Sequence, residues 1–265
     1  MIKKVITTIS LLGILGFAAY FINSLLFTPP QPPYKKELLV YCGITLIKPM
    51  SEIASILEER EGIKISIIKG GSGNLLKSIR FNRIGDLYLP GSESYIKQAN
   101  DEGLISESIH VGYNKAALMV RKGNPKKVKP DLSELLRPDL YVVLGNADSG
   151  SIGKETKKIL SSAGLLENVM LNVRELTTDS KRLTDVINNS EADLVINWFA
   201  PSTWPENSNF IDTLPIDEQY ANKKRLVLGL LSTAKYPKIA RLFLDYASSK
   251  DGIDIFNRYG LYSVD

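Results

Sequence analysis

From Glu37 to the C-terminus, the spacing of apolar residues switches repeatedly between two periods. Short apolar runs alternate with stretches carrying apolar residues every three or four positions. Residues 38–41 read as a buried strand. Residues 47–60 follow as a helix, with Met50, Ile53, Ala54 and Leu57 on one face and Gly62 at its end. A strand over 63–68, a Gly-rich turn over 70–74, a helix over 75–81, a strand over 86–89 and a helix over 92–100 repeat the unit. After a strand at 116–120 and a short helix at 132–136 the theme returns. It gives a strand at 140–144, a polar turn at 145–153, a helix at 154–163, extended chain at 173–176, a helix at 180–189 and a strand at 192–196. Residues 201–208 read as irregular. A strand at 225–231 and helices at 237–248 and 250–259 close the chain. A chain of this pattern folds as α/β layers, with mostly parallel strands covered by helices. Two such α/β units in one chain make two lobes with a cleft between them. Ligands of open α/β sheets bind beyond the carboxyl ends of the strands.

Residues 5–27 carry no charge and follow Lys3 and Lys4. As a helix this stretch would span about 34 Å, enough to cross a bilayer. It is expected to be a signal peptide or an uncleaved signal anchor that places the body outside the cytoplasm. The segment 28–36, TPPQPPYKK, reads as a stiff polyproline spacer. Residues 1–36 hold four lysines and no acid, which leaves 29 basic and 29 acidic residues in the body. A neutral body lacks the basic excess of a nucleic-acid binder. The single cysteine, Cys42, excludes an internal disulfide and a paired-cysteine metal site. The single histidine, His110, excludes multi-histidine zinc centres and leaves any serine nucleophile without an evident base. His110 reads as a residue of a strand crossing between lobes, and Cys42 as a buried structural thiol. No enzyme, metal or cofactor is expected.

Three turns share a chemistry. Cys42-Gly43-Ile44-Thr45, Gly70-Gly71-Ser72-Gly73-Asn74 and the segment 146–153 each follow a strand and precede a helix. Each sets hydroxyl residues (Thr45, Ser72, Ser149 and Ser151) where free helix N-terminal amides point outward. That arrangement suits an anion, although serines before helices are also ordinary caps. Asp179, Asp185, Asp212 and Asp217 read as caps or solvated charges.

The opening LLVYCGITLIKPMSEIASILEEREGIKISI, the loop and helix IKGGSGNLLKSI, the strand GDLYLPGS, the segment YNKAALMVRKGNP and the closing STAKYPKIARLFLDYASSKDGIDIFNRYGL together resemble the periplasmic molybdate-binding proteins. These are the substrate-binding subunits of molybdate ABC transporters. The likeness runs from Leu38 to about Leu261. It implies a two-lobed type II periplasmic-binding fold, each lobe a mixed, mostly parallel sheet flanked by helices. Lobe 1 would comprise 37–111 with 216–265, and lobe 2 would comprise 112–215. By the same likeness Thr45 and Ser72 fall on hydroxyl ligands. Ser149, Ser151 and Ile152 fall near a main-chain amide contact, and Ser180 near another. Asn197 stands where the family has a ligand tyrosine. This departure, together with Asp148 in the altered 146–153 turn, suits a protonated anion or a different solute.

The resemblance implies a monomer that captures a tetrahedral oxyanion of molybdate or tungstate type in the interlobe cleft and delivers it to an ABC transporter permease. The alternatives are a membrane-anchored ligand sensor and a binding protein for another solute, such as an organic anion or ferric iron.

Overall fold

The computed structural model describes residues 36–263, which form a compact unit of their own. The expected leader at 1–27 and all of the 28–36 spacer except Lys36 lie outside the described residues. Among the described residues, no helix is long and apolar enough to cross a membrane.

Two five-stranded sheets organise the chain. The first takes β1 (Glu37–Gly43), β2 (Lys64–Gly70), β3 (Leu87–Leu89), β4 (Ile105–Asn114) and β10 (Lys224–Leu231), in the order β2-β1-β3-β10-β4. The second takes β5 (Ala116–Arg121), β6 (Val142–Gly145), β7 (Val173–Thr177), β8 (Leu194–Trp198) and β9 (Ile211–Pro215), in the order β7-β6-β8-β5-β9. β1 pairs in parallel with β2 and β3, and β6 with β7 and β8. One strand in each sheet runs against the rest: β10 between β3 and β4, and β5 between β8 and β9. The sheets are therefore mixed but mostly parallel in direction. The chain passes from the first to the second across Lys115 and returns through residues 216–223.

The helices follow from the apolar periodicity. α1 (Ile47–Glu61) buries Met50, Ile53, Ala54 and Leu57 on the first sheet, and Gly62 ends it in the left-handed conformation at φ 61°. α8 (Pro237–Ser248) and α9 (Lys250–Arg258) share that core through Phe243, Leu244, Ile255 and Phe256. α2 (Ser72–Asn82) and α3 (Glu93–Asp101) cover the opposite face with Leu75, Leu76, Ile79, Tyr95 and Ile96. Around the second sheet stand α4 (Ser151–Ser162), α5 (Leu166–Asn172) and α6 (Ser180–Asn188), with the short α7 (Pro205–Ser208) before β9. Its core is a separate cluster centred on Leu118, Val143, Ile159, Leu183 and Val195.

Several boundaries differ from the sequence reading. α2 begins at Ser72 rather than 75, and α4 at Ser151 rather than 154. The glycines ahead of them, Gly71 and Gly150, are extended N-caps, so the polar turns are shorter than their composition suggests. β8 lies at 194–198 rather than 192–196, because its pairing with β5 continues through Trp198 opposite Ala116. The full extent of β4, together with α5 and β9, had no clear periodic signal. β9 forms because Ile211 to Pro215 finds a partner in β5, far away in sequence.

Candidate functional site

The carboxyl ends of β1, β2, β6 and β7 meet between the two sheets. Each strand runs straight into a helical turn. β1 leads through a 3-10 turn at Ile44–Leu46 into α1, β2 into α2, β6 into α4 and β7 into α6. The chain therefore brings the N-termini of α2, α4 and α6 to one place, with Thr45 beside them. They enclose a tight pocket with about 10 Å³ of free volume. It is lined by Gly43, Ile44, Thr45, Gly70, Gly71, Ser72, Gly150, Ser151, Ile152, Asp179, Ser180 and Trp198. No lysine, arginine or histidine is among them. The lining holds hydroxyls, the Asp179 carboxylate and the starts of three helices; at α6 the Lys181 and Arg182 amides are taken by Asp179, while the first amides of α2 and α4 lack intrahelical acceptors.

Glycines let the two loops touch. A Cβ on Gly71 would stand 2.5 Å from the Ser149 carbonyl oxygen and 2.8 Å from that of Thr178. A Cβ on Gly73 would stand 2.6 Å from the Asp148 carbonyl oxygen. The Asn74 amide donates to the Ser149 carbonyl at 3.2 Å, a main-chain bond from one lobe to the other.

Of the residues singled out from the sequence, Thr45, Ser72, Ser151, Ile152 and Ser180 come together on this pocket. Thr45 is buried, and its hydroxyl takes part in no hydrogen bond among the described residues. The Ser72 hydroxyl accepts from the Gly91 amide at 3.0 Å, and the Tyr88 hydroxyl donates to the Ser72 carbonyl at 2.8 Å. The Ser151 hydroxyl accepts from the Trp198 indole at 3.0 Å.

Ser149, Asn197 and Asp148 do not line the pocket. Ser149 contributes its carbonyl to the interlobe bond. Asn197, expected at a ligand position, is fully buried and spends its whole amide inside the protein. Its Nδ2 donates to the Ser180 carbonyl at 3.0 Å and to the Thr184 hydroxyl at 3.1 Å. Its Oδ1 accepts from the Trp198 amide at 2.9 Å and from the Ser180 hydroxyl. It fastens β8 to the start of α6 rather than facing a ligand. Asp148 is exposed. Burial and the nearby Asp148 charge push the Tyr95 phenol up to about 12.

Asp179 and Trp198 also line the pocket. Asp179 reads as a helix cap, and it is one: Oδ1 accepts from the Lys181 and Arg182 amides at 2.9 and 3.1 Å. It also reaches the pocket. Trp198 follows Asn197 on β8, and strand alternation sends it to the opposite face, toward Ser151.

Cys42 and His110 lie outside the pocket. Cys42 is fully buried, and burial raises its thiol. His110 sits on β4, its Nε2 at 2.8 Å from the Gly112 carbonyl. Burial lowers its pKa below 6.5 against the raising effect of that contact. Neither is placed to serve a serine as base or nucleophile.

A second, larger groove of about 460 Å³ opens beside the pocket and shares Ile44 and Thr45 with it. Lys48, Lys69 and Lys181 line it with Asp185, Trp204 and Glu206. Lys48 pairs with Glu206 at 2.6 Å and lies 4.7 Å from the centre of the Trp204 ring.

The comparisons agree with this architecture. The chain is 21% identical over 237 residues to the molybdate-binding protein ModA of Rhodobacter capsulatus, covering 86% of this chain and 89% of that one. Among solved structures, the sulfate-binding protein SubI of Mycobacterium tuberculosis H37Rv superposes with a TM-score of 0.76 at 15% identity, covering 87% and 88% of the two chains. PEB3 of Campylobacter jejuni, solved bound to L-phospholactate, superposes with a TM-score of 0.69 at 20% identity, covering 86% and 100%. Both show the two-lobed periplasmic-binding fold described above. Residues 38–262 match the model of the bacterial extracellular solute-binding proteins, and the chain belongs to that family.

Proposed function

We propose that this solute-binding protein captures a tetrahedral oxyanion in the interlobe pocket and delivers it to the permease of an ABC transporter. One observation carries the reading: three helix N-termini and the hydroxyls of Thr45, Ser72 and Ser151 converge on a pocket without a basic side chain. Helix N-terminal amides and neutral hydroxyls stabilise an anion through directed hydrogen bonds. Hydrogen bonds to a charged group are worth about 1.5–3 kcal/mol each, so several give tight yet reversible capture. The relatives' names favour the same class, with molybdate for one and sulfate for another. A leader at 1–27, cleaved or retained as an anchor, would place the body on the outer face of the cytoplasmic membrane.

Thermal unfolding of residues 36–265 with molybdate, tungstate, sulfate, selenate, phosphate and arsenate tests this. A ligand at 100 times its Kd adds about 2.7 kcal/mol, a readily measured rise in Tm. A rise with one or more of these anions is expected, and no rise with any of them overturns the reading.

The adjoining groove favours a second reading, an anion with an organic extension. Its three lysines face two acids, and it begins at Thr45 on the pocket's own wall. Phosphorylated and carboxylated organic acids in the same panel decide between the two. Under the second reading they outcompete every inorganic anion.

A further inference from the structure

The hydrogen bonds behind the pocket wall determine which groups can donate a proton to a ligand and which can only accept one. Asn197 settles the α6 side. The Trp198 main-chain N–H, 2.9 Å away, demands an oxygen, and the Ser180 carbonyl, 3.0 Å away, demands an N–H. The amide therefore has one possible orientation, with Oδ1 facing Trp198. The Ser180 hydroxyl also contacts Oδ1, which has no hydrogen to give. The Ser180 proton must lie on that bond and point away from the pocket. Thr184 completes the circuit by donating to the Ser180 carbonyl at 3.0 Å. What the Ser180 hydroxyl still offers is lone pairs.

Asp179, next to it, is the only charged residue lining the pocket among the described residues. Its Oδ1 holds the first amides of α6, and its Oδ2 has one long bond, 3.3 Å, from the Thr178 hydroxyl. Asp179 thus adds a second acceptor at the same edge. The cations around this helix start are paired elsewhere: Lys181 with Asp185 at 2.6 Å, and Arg182 with Glu191 at 3.0 Å and Glu175 at 3.7 Å.

The other hydroxyls of the lining have the reverse character. The Ser72 and Ser151 hydroxyls each already accept a hydrogen bond, from the Gly91 amide and the Trp198 indole, so each keeps its own proton for a ligand. The Thr45 hydroxyl has no other partner among the described residues. The pocket is therefore a donor surface over most of its wall, with an acceptor edge at Asp179 and Ser180.

We infer that Asp179 and Ser180 make this site selective for an oxyanion that keeps a proton at neutral pH, of the inorganic phosphate and arsenate kind, over fully ionised sulfate, selenate, molybdate or tungstate. The inference rests on the oxyanion reading and narrows it. A fully ionised tetrahedral anion presents four acceptors and sets one or more of them against Asp179 and the Ser180 lone pairs. A protonated anion turns its O–H to that edge and its remaining oxygens to the donors. The same logic assigns Asn197 as a positioning residue, which fixes the direction of the Ser180 proton without touching the ligand. The acceptor suggested by the sequence, Asp148, belongs to the wrong loop; Asp179 occupies the place.

Calorimetric titration of residues 36–265 with phosphate, arsenate, sulfate and molybdate at pH 7 tests the inference. Phosphate and arsenate are expected to bind at least about tenfold tighter than the other two, the worth of one hydrogen bond to a charged group. Asp179→Asn keeps the helix cap but exchanges an acceptor for an N–H donor. It is expected to move the phosphate-to-sulfate ratio about tenfold or more toward sulfate. Ser180→Ala is expected to weaken phosphate about tenfold and to leave sulfate within a fewfold. Circular dichroism establishes that each variant is folded. Sulfate or molybdate bound as tightly as phosphate by the unmodified protein overturns the inference while leaving the oxyanion reading in place. So do variants that weaken all anions equally. Binding of none of the four overturns both.

Discussion

Single residues decide how closely the two lobes approach. Gly71 has φ −66° and ψ 134°, a conformation any residue adopts, so its lack of a side chain is not a backbone requirement. Its reason is the Ser149 and Thr178 carbonyls across the cleft. Gly71→Ala is therefore expected to weaken ligand binding tenfold or more with a small change in Tm, as measured by titration and melting of the same sample. Asp86 is a second such residue. It is buried, and its carboxylate accepts from the Leu39 and Lys235 amides, each at 2.8 Å, joining β1 to the loop after β10. Asp86→Ala leaves both donors unpaired and is expected to cost about 3 kcal/mol in denaturant unfolding. His110 adds a pH dependence. Burial holds its folded pKa below 6.5, so the unfolded chain binds more protons between the two values. Its contribution to stability is complete above the unfolded value and is lost as the pH falls from there through the lower folded value. His110→Phe should flatten that part of the stability profile between pH 7 and 5.

At the scale of elements, the unit of function is the strand end with the helix it starts. The alternation of periods announces these units, and Ser72, Ser151 and Ser180 prove to be the first residues of α2, α4 and α6. What holds α6 in place was not legible. Asn197 on β8 meets Ser180 and Thr184 only because β8 lies beside β6 in the sheet and α6 packs against β8. Those partners are 17 and 13 residues away along the chain. Asn197→Leu removes four hydrogen bonds at once from buried partners, and a loss of about 3 kcal/mol or more in denaturant unfolding is expected. Replacing a residue that merely lines the pocket, as in Thr45→Val, should leave stability within about 1 kcal/mol.

Across the whole molecule, two crossings, one at Lys115 and one through 216–223, join sheets whose cores are separate. Few segments tie the lobes together, so the contacts at the cleft carry their closed relation. Among these are the Asn74–Ser149 bond and the Lys48–Glu206 pair with Trp204. The ion pair is partly exposed and is worth at most about 1 kcal/mol on its own. Lys48→Met with Glu206→Gln should therefore alter affinity by less than about fivefold, as read by titration.

The amino-acid sequence by itself determined the α/β alternation, the neutral body and the hydroxyl residues beside helix starts. Periodicity, charge count and turn chemistry are local properties that need no partner. The reversed strands β10 and β5, the strand β9 and the meeting of four strand ends on one pocket were decided only in the folded molecule. They depend on pairings between residues far apart in the chain, which local spacing does not encode. The same holds for the role of Asn197. A buried amide takes its meaning from the donors and acceptors around it, and those are supplied by neighbouring elements rather than neighbouring residues.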